Sequence, residues 1–317
     1  MTGRNRHDDP VPPRSPLPPR HGLQSAWVRT PDRDPGRVAP WETMRDWLRH
    51  KLPDEVDVES MLAAKRFVDD DGHPWTGDEP YRPHTFVWFH RDLREEPVVP
   101  GELTVLHQDE RIVVVDKPHF LSTIPRGRHV TQSVVVRARG TLDLPELGPA
   151  HRLDRLTAGV LVLTTERRWR APYQRMFEQR IPVKTYEAIA PLRPDLTLPL
   201  TLHSHIVKDR GVLTAREVPD APPNAETAVE LVEVRGGFGR YRLSPRTGRT
   251  HQLRLHLASL GIPIVGDPLY PTVLPDAVDD VSEPLRLLAR TLAFVDPVDG
   301  TRRRFDSERE LAWPSCP

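Results

Sequence analysis

The chain has 317 residues, of which 37% are hydrophobic and 28% are charged, so it is long enough to bury the core of one large domain or of two smaller ones. Its 45 basic and 45 acidic residues give a formal net charge of zero, which argues against a uniformly basic nucleic-acid binder. The single cysteine, Cys316, excludes an intramolecular disulfide and a multi-cysteine metal site. The sequence shows neither a signal peptide nor an apolar stretch long enough to span a membrane, and therefore predicts a cytoplasmic protein.

Residues 1–40 are rich in proline and arginine and lack apolar periodicity, which predicts a disordered tail. Residues 41–100 are predicted to form a small N-terminal module. In it, the helical patterns WETMRDWLRHKLP and VESMLAAKRFV precede a turn and the aromatic strand HTFVWFH. The arrangement resembles, in a degenerate form, the small α-L RNA-binding module. Because the segment is acidic, RNA contact and a purely structural role are both open interpretations.

From residue 101 onward the pattern changes to short strands and helices in mixed order. Strands are predicted in LTVLHQDERIVVVDKP, GVLVLTT, VKTYEAIA, AETAVELVEV and GRYRLSP, and helices over Glu166 to Gln179 and Thr250 to Leu260. The strands do not alternate regularly with helices. The predicted fold class of residues 101–317 is therefore α+β, with a mixed, mostly antiparallel sheet and flanking helices.

Two of these elements place side chains on defined faces. Period-two alternation puts Tyr186, Ala188 and Ala190 on one face of their strand, which leaves open space beside the tyrosine ring. The second helix is predicted to have Thr250 as its N-cap and to stop at Gly261. Its residues Leu253, Leu257 and Leu260 share one face, and Arg254 lies beside that face on a rigid element.

The stretch AHRLDRLTAGVLVLTT, residues 150–165, holds the carboxylate of Asp154 between Arg152 and Arg155, just before an apolar run. A surface cluster of ion pairs gives this pattern and contributes little stability. A catalytic carboxylate kept ionised beside cations gives it too. The residues alone leave both interpretations open.

Four segments resemble, in the same order, the RluA-type pseudouridine synthases, which isomerise uridine in RNA to its C-glycoside. They are LHQDERIVVVDKPHFLSTIP, HRLDRLTAGVLVL, FEQRIPVKTYEAIA and RTGRTHQLRLHLASLGIPIVGDPLY. The resemblance runs from about Leu103 to Phe305. It implies the pseudouridine synthase fold, with Asp154 as the catalytic aspartate, Tyr186 as the residue that contacts the target base, and Arg254 as the arginine that pairs with Asp154.

The resemblance also implies the partners of the protein. We expect a monomer that acts on ribosomal or transfer RNA and needs no cofactor, because the reaction is redox-neutral. Histidines 151, 251 and 256 match no compact ligand motif, so no metal site is predicted.

Two groups of arginines are predicted to contact the RNA. Arg152 is expected to enter the space left by an extruded base or to hold a phosphate, with a structural ion pair as the alternative. Residues 235–256 contain six arginines and no acid, which indicates a local basic surface. Four of these are expected to line the cleft and neutralise phosphates, namely Arg240, Arg242, Arg246 and Arg249.

One carboxylate suffices for this chemistry if it attacks the anomeric carbon, adds to C6 of the base or abstracts the 2′ proton, and the sequence does not choose among these routes. Two positions depart from the family pattern: Leu288 stands where histidine is common, and Ala158 where serine is usual. They leave open a catalytically silent RNA-binding or RNA-folding protein. A hydrolase is a third interpretation, although glycoside hydrolysis normally requires two carboxylates and the motifs present one.

Overall fold

The computed structural model describes residues 12–20, 22–31, 41–93, 95–125, 129–275 and 280–314. The chain divides into two compact units, Met1–Arg94 and Glu95–Pro317, so the division falls earlier than the predicted boundary after residue 100. Within the described ranges, no helix combines the length and the apolar character that crossing a lipid bilayer requires.

The first unit has an apolar core between two helices and a two-stranded antiparallel sheet. Its elements are β1 (Ala26–Arg29), α1 (Met44–Lys51), α2 (Val58–Ala63) and β2 (Phe86–Phe89). Both helices and β2 confirm the sequence prediction. The tail predicted over residues 1–40 is corrected, because β1 lies inside it and pairs with β2 from Ala26 opposite Phe89 to Arg29 opposite Phe86. Residues 1–11, 21 and 32–40 lie outside the described residues.

The second unit contains twelve strands and three helices within its described ranges. The strands are β3 (Thr104–Gln108), β4 (Ile112–Lys117), β5 (Gly148–Pro149), β6 (Ala158–Thr164), β7 (Val183–Pro191), β8 (Leu200–Ser204), β9 (Ile206–Val207), β10 (Arg216–Glu217), β11 (Ala225–Arg235), β12 (Phe238–Pro245), β13 (Leu287–Val295) and β14 (Arg302–Asp306). The helices are α3 (Val134–Leu142), α4 (Arg167–Glu178) and α5 (Gln252–Ser259). Every strand and helix predicted after residue 101 is present.

Ten of these strands form one sheet in the order β3-β4-β6-β13-β7-β12-β11-β8, with β5 added to β6 and β14 added to β13. The pairing of β6 with β13 is parallel, whereas the other pairings in this sheet are antiparallel. Strands β9 and β10 form a separate pair. The predicted α+β class with a mixed, mostly antiparallel sheet is confirmed.

Both faces of the sheet are buried at its centre, which explains the continuous apolar runs of β4 and β6. On one face, Val113 and Leu161 belong to a core that also receives α3 and α5. On the other face, Ile112 and Val160 pack with Tyr173 of α4. The helices therefore flank the sheet on both sides. The loop between β5 and β6 packs into the same core as α5.

Helix α5 begins differently from the prediction. The predicted N-cap, Thr250, is wrong: His251 holds this position in a left-handed backbone conformation with φ of 59°, and the helix starts at Gln252. No described side chain caps this end of the helix; Oε1 of Gln252 instead accepts a hydrogen bond of 3.0 Å from the Arg249 nitrogen in the preceding turn. The apolar face is as predicted, because Leu253 and Leu257 are buried in the core.

The end of α5 is also as predicted. Gly261 has a φ of 75°, which a residue without a Cβ adopts without strain. Its nitrogen donates to the Ala258 oxygen over 2.9 Å, and the Ile262 nitrogen donates to the Leu257 oxygen over 3.0 Å. These two bonds form a Schellman motif, which satisfies the last carbonyls of the helix.

Gly159 is the position where the sheet tolerates least change. It lies opposite Ala289 in the parallel pairing and has a φ of 113°. A Cβ there would lie 2.7 Å from the Ala289 nitrogen, so Gly159→Ala should lower the free energy of unfolding by about 2 to 4 kcal/mol. Gly140→Ala, in α3 with open space around the glycine, should instead raise it by about 0.5 to 1 kcal/mol. Urea unfolding of both variants checks this, and equal stability of the two would contradict it.

Candidate active site

Asp154 lies in the loop between β5 and β6, at the point where the chain enters the central sheet. The Thr157 nitrogen donates to the Asp154 carbonyl oxygen over 3.1 Å and closes a turn around it. Leu153 and Leu156 anchor this turn in the core, with 7% and 5% of their surface exposed. Asp154 itself is half-buried, and it forms no ion pair with a cation in the described part of the chain.

Three side chains from the end of β4 and the segment after it hold the backbone on both sides of Asp154. Thr123 donates its hydroxyl to the Leu153 oxygen over 2.8 Å and accepts from the Leu153 nitrogen over 3.2 Å. Nζ of Lys117 donates to the Arg155 oxygen over 3.2 Å, and Nδ1 of His119 donates to the Leu156 oxygen over 2.8 Å. We call these three residues the loop clamp. They fix the peptide groups before and after the carboxylate without using the carboxylate itself.

Lys117 is fully buried, with 0% of its surface exposed. Its Nζ also donates to the Pro118 oxygen over 3.0 Å and to the Leu121 oxygen over 2.8 Å. With the Arg155 oxygen these make three acceptors, which match the three N–H donors of an ammonium group. Burial lowers the pKa of Lys117 to about 7. The negative charge of Asp154 opposes this effect, because it favours the protonated amine.

The negative charge of Asp154 acts on three further polar side chains. Burial raises the pKa of Tyr186, and the negative charge of Asp154 raises it further. Burial lowers the pKa of His251 to about 4, although the negative charge of Asp154 acts to raise it. Burial raises the pKa of Tyr270 to about 12, with a smaller contribution from Asp154. At neutral pH both phenols therefore keep their protons and the imidazole is neutral.

Tyr186 occupies the predicted face of β7. It is half-buried and packs against the core that contains Ala188 and Ala190. On the opposite face, Glu187 binds Arg290 through two hydrogen bonds of 3.0 Å. The small alanines beside the ring agree with the predicted alternation. The role of Tyr186 at the target base stays a prediction.

Arg254 does not pair with Asp154 as expected, which corrects that prediction. Its Nε donates to Oδ2 of Asp267 over 2.8 Å and its Nη2 donates to Oδ1 over 2.5 Å. Both side chains are buried, at 2% and 0% exposure. Oδ1 of Asp267 also accepts from the Leu269 nitrogen over 2.9 Å. The guanidinium lies 5.3 Å from the ring centroid of Tyr270, so Arg254 fixes the segment that carries Tyr270 beside Asp154.

The predicted histidines serve separate structural roles among the described residues. His151 accepts from the Val162 nitrogen over 3.1 Å and stacks on Phe177 at 4.1 Å. His256 lies between the hydroxyls of Ser204 and Thr227, at 2.9 Å from each. His251 contacts the Tyr270 hydroxyl at 3.0 Å.

The predicted basic surface is largely neutralised by acids from neighbouring strands, and this corrects the expectation for two of its arginines. Arg240 pairs with Glu187, Glu233 and Glu310, and only 16% of its side chain is exposed. Arg242 pairs at 3.1 Å with Glu230, its register partner on β11. The absence of acids within residues 235–256 therefore does not mean an absence of acids around them.

The remaining arginines of the prediction are more exposed and less closely paired with acids of the protein. Arg246 is 80% exposed, and its contact with Glu226 is 3.8 Å long. Arg249 is exposed and donates its Nε to the Asn224 oxygen over 3.2 Å. Arg152, two residues before Asp154, is exposed and forms no ion pair with a described carboxylate. The structural ion pair considered for Arg152 is thus not seen among the described residues.

Comparison with known proteins identifies the family of this chain. The family model for RNA pseudouridylate synthases matches residues 111–259. The dual-specificity RNA pseudouridine synthase RluA of Yersinia pestis is 33% identical over 222 residues, which are 66% of this chain and 100% of that protein. The chain belongs to the RluA-type RNA pseudouridine synthases. It is therefore an isomerase that converts uridine in RNA to pseudouridine.

Two further similarities support the same family and fold. The RNA pseudouridine synthase YhcT of Bacillus subtilis, named as uncharacterized, is 35% identical over 246 residues, covering 72% of this chain and 73% of that one. The structure of human RNA pseudouridylate synthase domain containing 4 has a TM-score of 0.50 at 26% identity, covering 66% of this chain and 88% of that chain. The similarities give no support to the catalytically silent alternative.

The two departures from the family pattern lie together in this synthase. Leu288 and Ala158 are register partners in the parallel pairing of β13 with β6, and both are fully buried in one apolar cluster. A histidine and a serine at these places would each need a hydrogen-bond partner. Because both positions are apolar, no buried polar group is left unpaired, which is nearly neutral for stability.

Sequence reasoning missed the loop clamp and Asp267. The clamp acts on peptide groups, which have no sequence pattern of their own. The sequence offered one indication of the clamp. Lys117 ends the apolar run of β4, and a lysine there must either reach solvent or bind hydrogen-bond acceptors in the interior. Asp267 lies thirteen positions after Arg254, beyond the turns that follow α5.

The buried ammonium makes stability depend on pH. Folded Lys117 releases its proton near pH 7, whereas the unfolded chain keeps it to about pH 10. The unfolded state then binds more protons, so this group makes the free energy of unfolding rise between these values, by up to about 1.4 kcal/mol per pH unit. Lys117→Met should remove this rise.

Urea unfolding at pH 7, 8 and 9 measures the difference between wild type and Lys117→Met. Lys65→Met, at an exposed position in the first unit, controls for loss of a lysine as such and should leave the slope unchanged. Parallel pH profiles for wild type and Lys117→Met would show that the buried amine keeps its proton in this range.

Proposed function

We propose that this synthase modifies particular uridines of structured ribosomal or transfer RNA, as a cytoplasmic monomer, with Asp154 as its catalytic carboxylate. The observation that carries the proposal is that Asp154 is left without an ion-pair partner among the described residues while the backbone on both sides of it is held by the loop clamp. The choice of substrate draws on relatives such as RluA of Yersinia pestis, which is named as a dual-specificity RNA pseudouridine synthase.

The reaction moves the base from an N-glycosidic to a C-glycosidic bond at the same sugar carbon, so it needs neither an oxidant nor a metal in its balance. One carboxylate can attack the anomeric carbon, add to C6 of the base or abstract the 2′ proton. In each route Asp154 must be ionised and fixed in position. The clamp supplies the rigidity, and Lys117 supplies an opposite charge at pH values below its lowered pKa of about 7.

Tyr186 fits the role of a support for the extruded uracil. Its raised pKa excludes a phenolate base at neutral pH, whereas its ring can stack on the base and its hydroxyl can donate. Arg254 takes an indirect part, since its guanidinium is committed to Asp267 and orients the Tyr270 segment beside the site. No residue of this site requires a cofactor for the role proposed.

Extrusion of the uridine needs a group that replaces the lost stacking or holds the displaced strand. Arg152 is exposed, close in sequence to Asp154, and free of any ion pair with a described carboxylate. We assign it this role. Arg246 and Arg249 are assigned to phosphates near the cleft, and Arg240 and Arg242 are assigned to the ion pairs that join β12 to its neighbours.

Asp154→Asn tests the catalytic assignment. The amide keeps the shape of the side chain but cannot act as nucleophile or base, so pseudouridine formation should fall by more than about ten-thousandfold, beyond the usual effect of a lost general base. RNA affinity should be retained, because a negative charge has been removed. Asp143→Asn, which changes an exposed carboxylate after α3, serves as the control and should keep full activity.

Mass-spectrometric counting of pseudouridine in ribosomal and transfer RNA measures the effect. Substantial turnover by purified Asp154→Asn would refute its catalytic role. No product from wild type on either RNA would refute the substrate assignment, while leaving the family membership in place.

The salt dependence of RNA binding separates the two classes of arginine. Replacing Arg246 and Arg249 by glutamine should flatten the slope of log affinity against log salt by about 1.4, since each single-strand phosphate contact contributes about 0.7. The same replacement of Arg240 and Arg242 should leave the slope almost unchanged, because acids of the protein already neutralise them. Equal flattening in the two pairs would mean that the cross-strand ion pairs open when RNA binds.

A further inference from the structure

Arg180 follows α4 in a backbone conformation that favours glycine. Its φ is 59°. Its nitrogen donates to the Phe177 oxygen over 3.1 Å, and the Ile181 nitrogen donates to the Met176 oxygen over 3.1 Å. These bonds form the same Schellman motif that ends α5, where the corresponding residue is Gly261. The same motif thus ends α5 with a glycine and α4 with a strained arginine.

The strain at Arg180 is not offset by contacts of its side chain within the described chain. The side chain is exposed, and it forms no ion pair with a described carboxylate. A non-glycine residue in the left-handed region costs free energy, and such residues are concentrated at functional positions. The Arg180 side chain is therefore available to bind a ligand from outside the protein.

A second cation without a described acid partner follows Arg180 by four residues, and its hydrogen bond places it at the turn that carries Arg246 and Arg249. Nζ of Lys184, at the start of β7, donates to the Thr247 oxygen over 3.1 Å. Burial lowers the pKa of Lys184, and the positive charge of Arg180 lowers it further. Two cations that repel each other, with no described carboxylate between them, are arranged to receive an anion.

The pair adjoins the catalytic loop. The ring of His151 stacks on Phe177, in the last turn of α4, at 4.1 Å. The charge of Lys184 also contributes to the lowered pKa of His151. His151 is followed by the exposed Arg152 and then, two residues later, by Asp154. An anion held by Arg180 and Lys184 would therefore lie close to the reacting uridine.

Two exposed apolar side chains follow Arg180 in the sequence. Ile181 is 50% exposed and Val183 is 65% exposed, although both are large hydrophobic side chains. Apolar side chains next to unneutralised cations suit a nucleotide chain, whose sugars and base faces are apolar and whose phosphates are charged.

We propose that Arg180 and Lys184 bind one backbone phosphate of the RNA strand that carries the target uridine. The site positions the substrate and takes no part in the bond changes, and this inference rests on the proposed function. It extends the RNA-binding surface to the end of α4 and the start of β7, on the side of the catalytic loop where His151 and Arg152 lie.

Arg180→Gly tests the proposal, because it should relieve strain while it removes the phosphate contact. The midpoint of thermal unfolding should stay the same or rise. The slope of log affinity against log salt should flatten by about 0.7 for the single phosphate lost. KM for RNA should rise while kcat at saturating RNA stays unchanged. Arg180→Lys keeps the charge and should retain most of the wild-type slope.

Lys65→Gly is the matched control. Lys65 occupies the same motif after α2 in the first unit, with a φ of 56° and bonds from its own nitrogen to the Leu62 oxygen and from the Arg66 nitrogen to the Met61 oxygen. It should gain the same stability without any change in RNA binding. An unchanged salt slope in Arg180→Gly, or a slope lost equally in Arg180→Lys, would overturn the proposal.

The outcome is distinguishable from failure of the proposed function. If wild type forms pseudouridine and Arg180→Gly keeps both its salt slope and its KM, the phosphate site is wrong and the function stands. A lower unfolding midpoint in Arg180→Gly would contradict the strain argument and assign Arg180 a structural role instead.

Discussion

The proposed active site depends on three side chains that bind peptide groups next to Asp154. Lys117 ends β4, Thr123 and His119 follow it closely in the sequence, and each makes its bond to a different residue of the loop. Because they bind the backbone, the carboxylate of Asp154 stays free for chemistry while its position is fixed. The rest of the site, including Tyr186 and the Tyr270 segment, is arranged around this fixed point.

The clamp is itself held by the C-terminal segment. Asp116, the residue before Lys117, accepts from the Ser307 hydroxyl at 2.9 Å and from the Glu308 nitrogen at 2.8 Å. Arg309 donates to the Asp116 carbonyl oxygen over 2.9 Å. Residues almost two hundred positions away thus fix the end of β4, from which the buried ammonium reaches the catalytic loop.

The site contains one buried ion pair, Arg254 with Asp267, and two charged groups that are not in contact, Lys117 and Asp154. Arg254 and Asp267 cancel each other in the interior through two parallel bonds, which is a stable use of buried charge because both partners are satisfied. Lys117 has no carboxylate in contact among the described residues, and Asp154 is the acid whose charge raises its pKa. The cation whose pKa responds to the charge of Asp154 is therefore Lys117, whereas the family resemblance implied Arg254 as the partner.

Local patterns were enough to predict much of this. Period-two alternation located β7 and the face of Tyr186, and helical spacing located α4 and the buried face of α5. The order of motifs identified the family and Asp154. Local patterns do not determine which strands become neighbours in the sheet. Glu230 and Glu233 neutralise Arg242 and Arg240 from β11, and Leu288 meets Ala158 across a parallel pairing. Such pairs join residues far apart in sequence, so a run of like charges or a single unusual residue was misleading when considered alone.

The central claim is that Asp154 is positioned by bonds to its backbone and not by an ion pair with Arg254. A crystal structure of Asp154→Asn bound to a uridine-containing RNA tests it most directly. The account predicts that Arg254 keeps both bonds to Asp267, that Lys117 keeps its three carbonyl acceptors, and that residue 154 meets the sugar or base of an extruded uridine. A structure in which Arg254 leaves Asp267 and binds the side chain at position 154, with the loop released from the clamp, would contradict it.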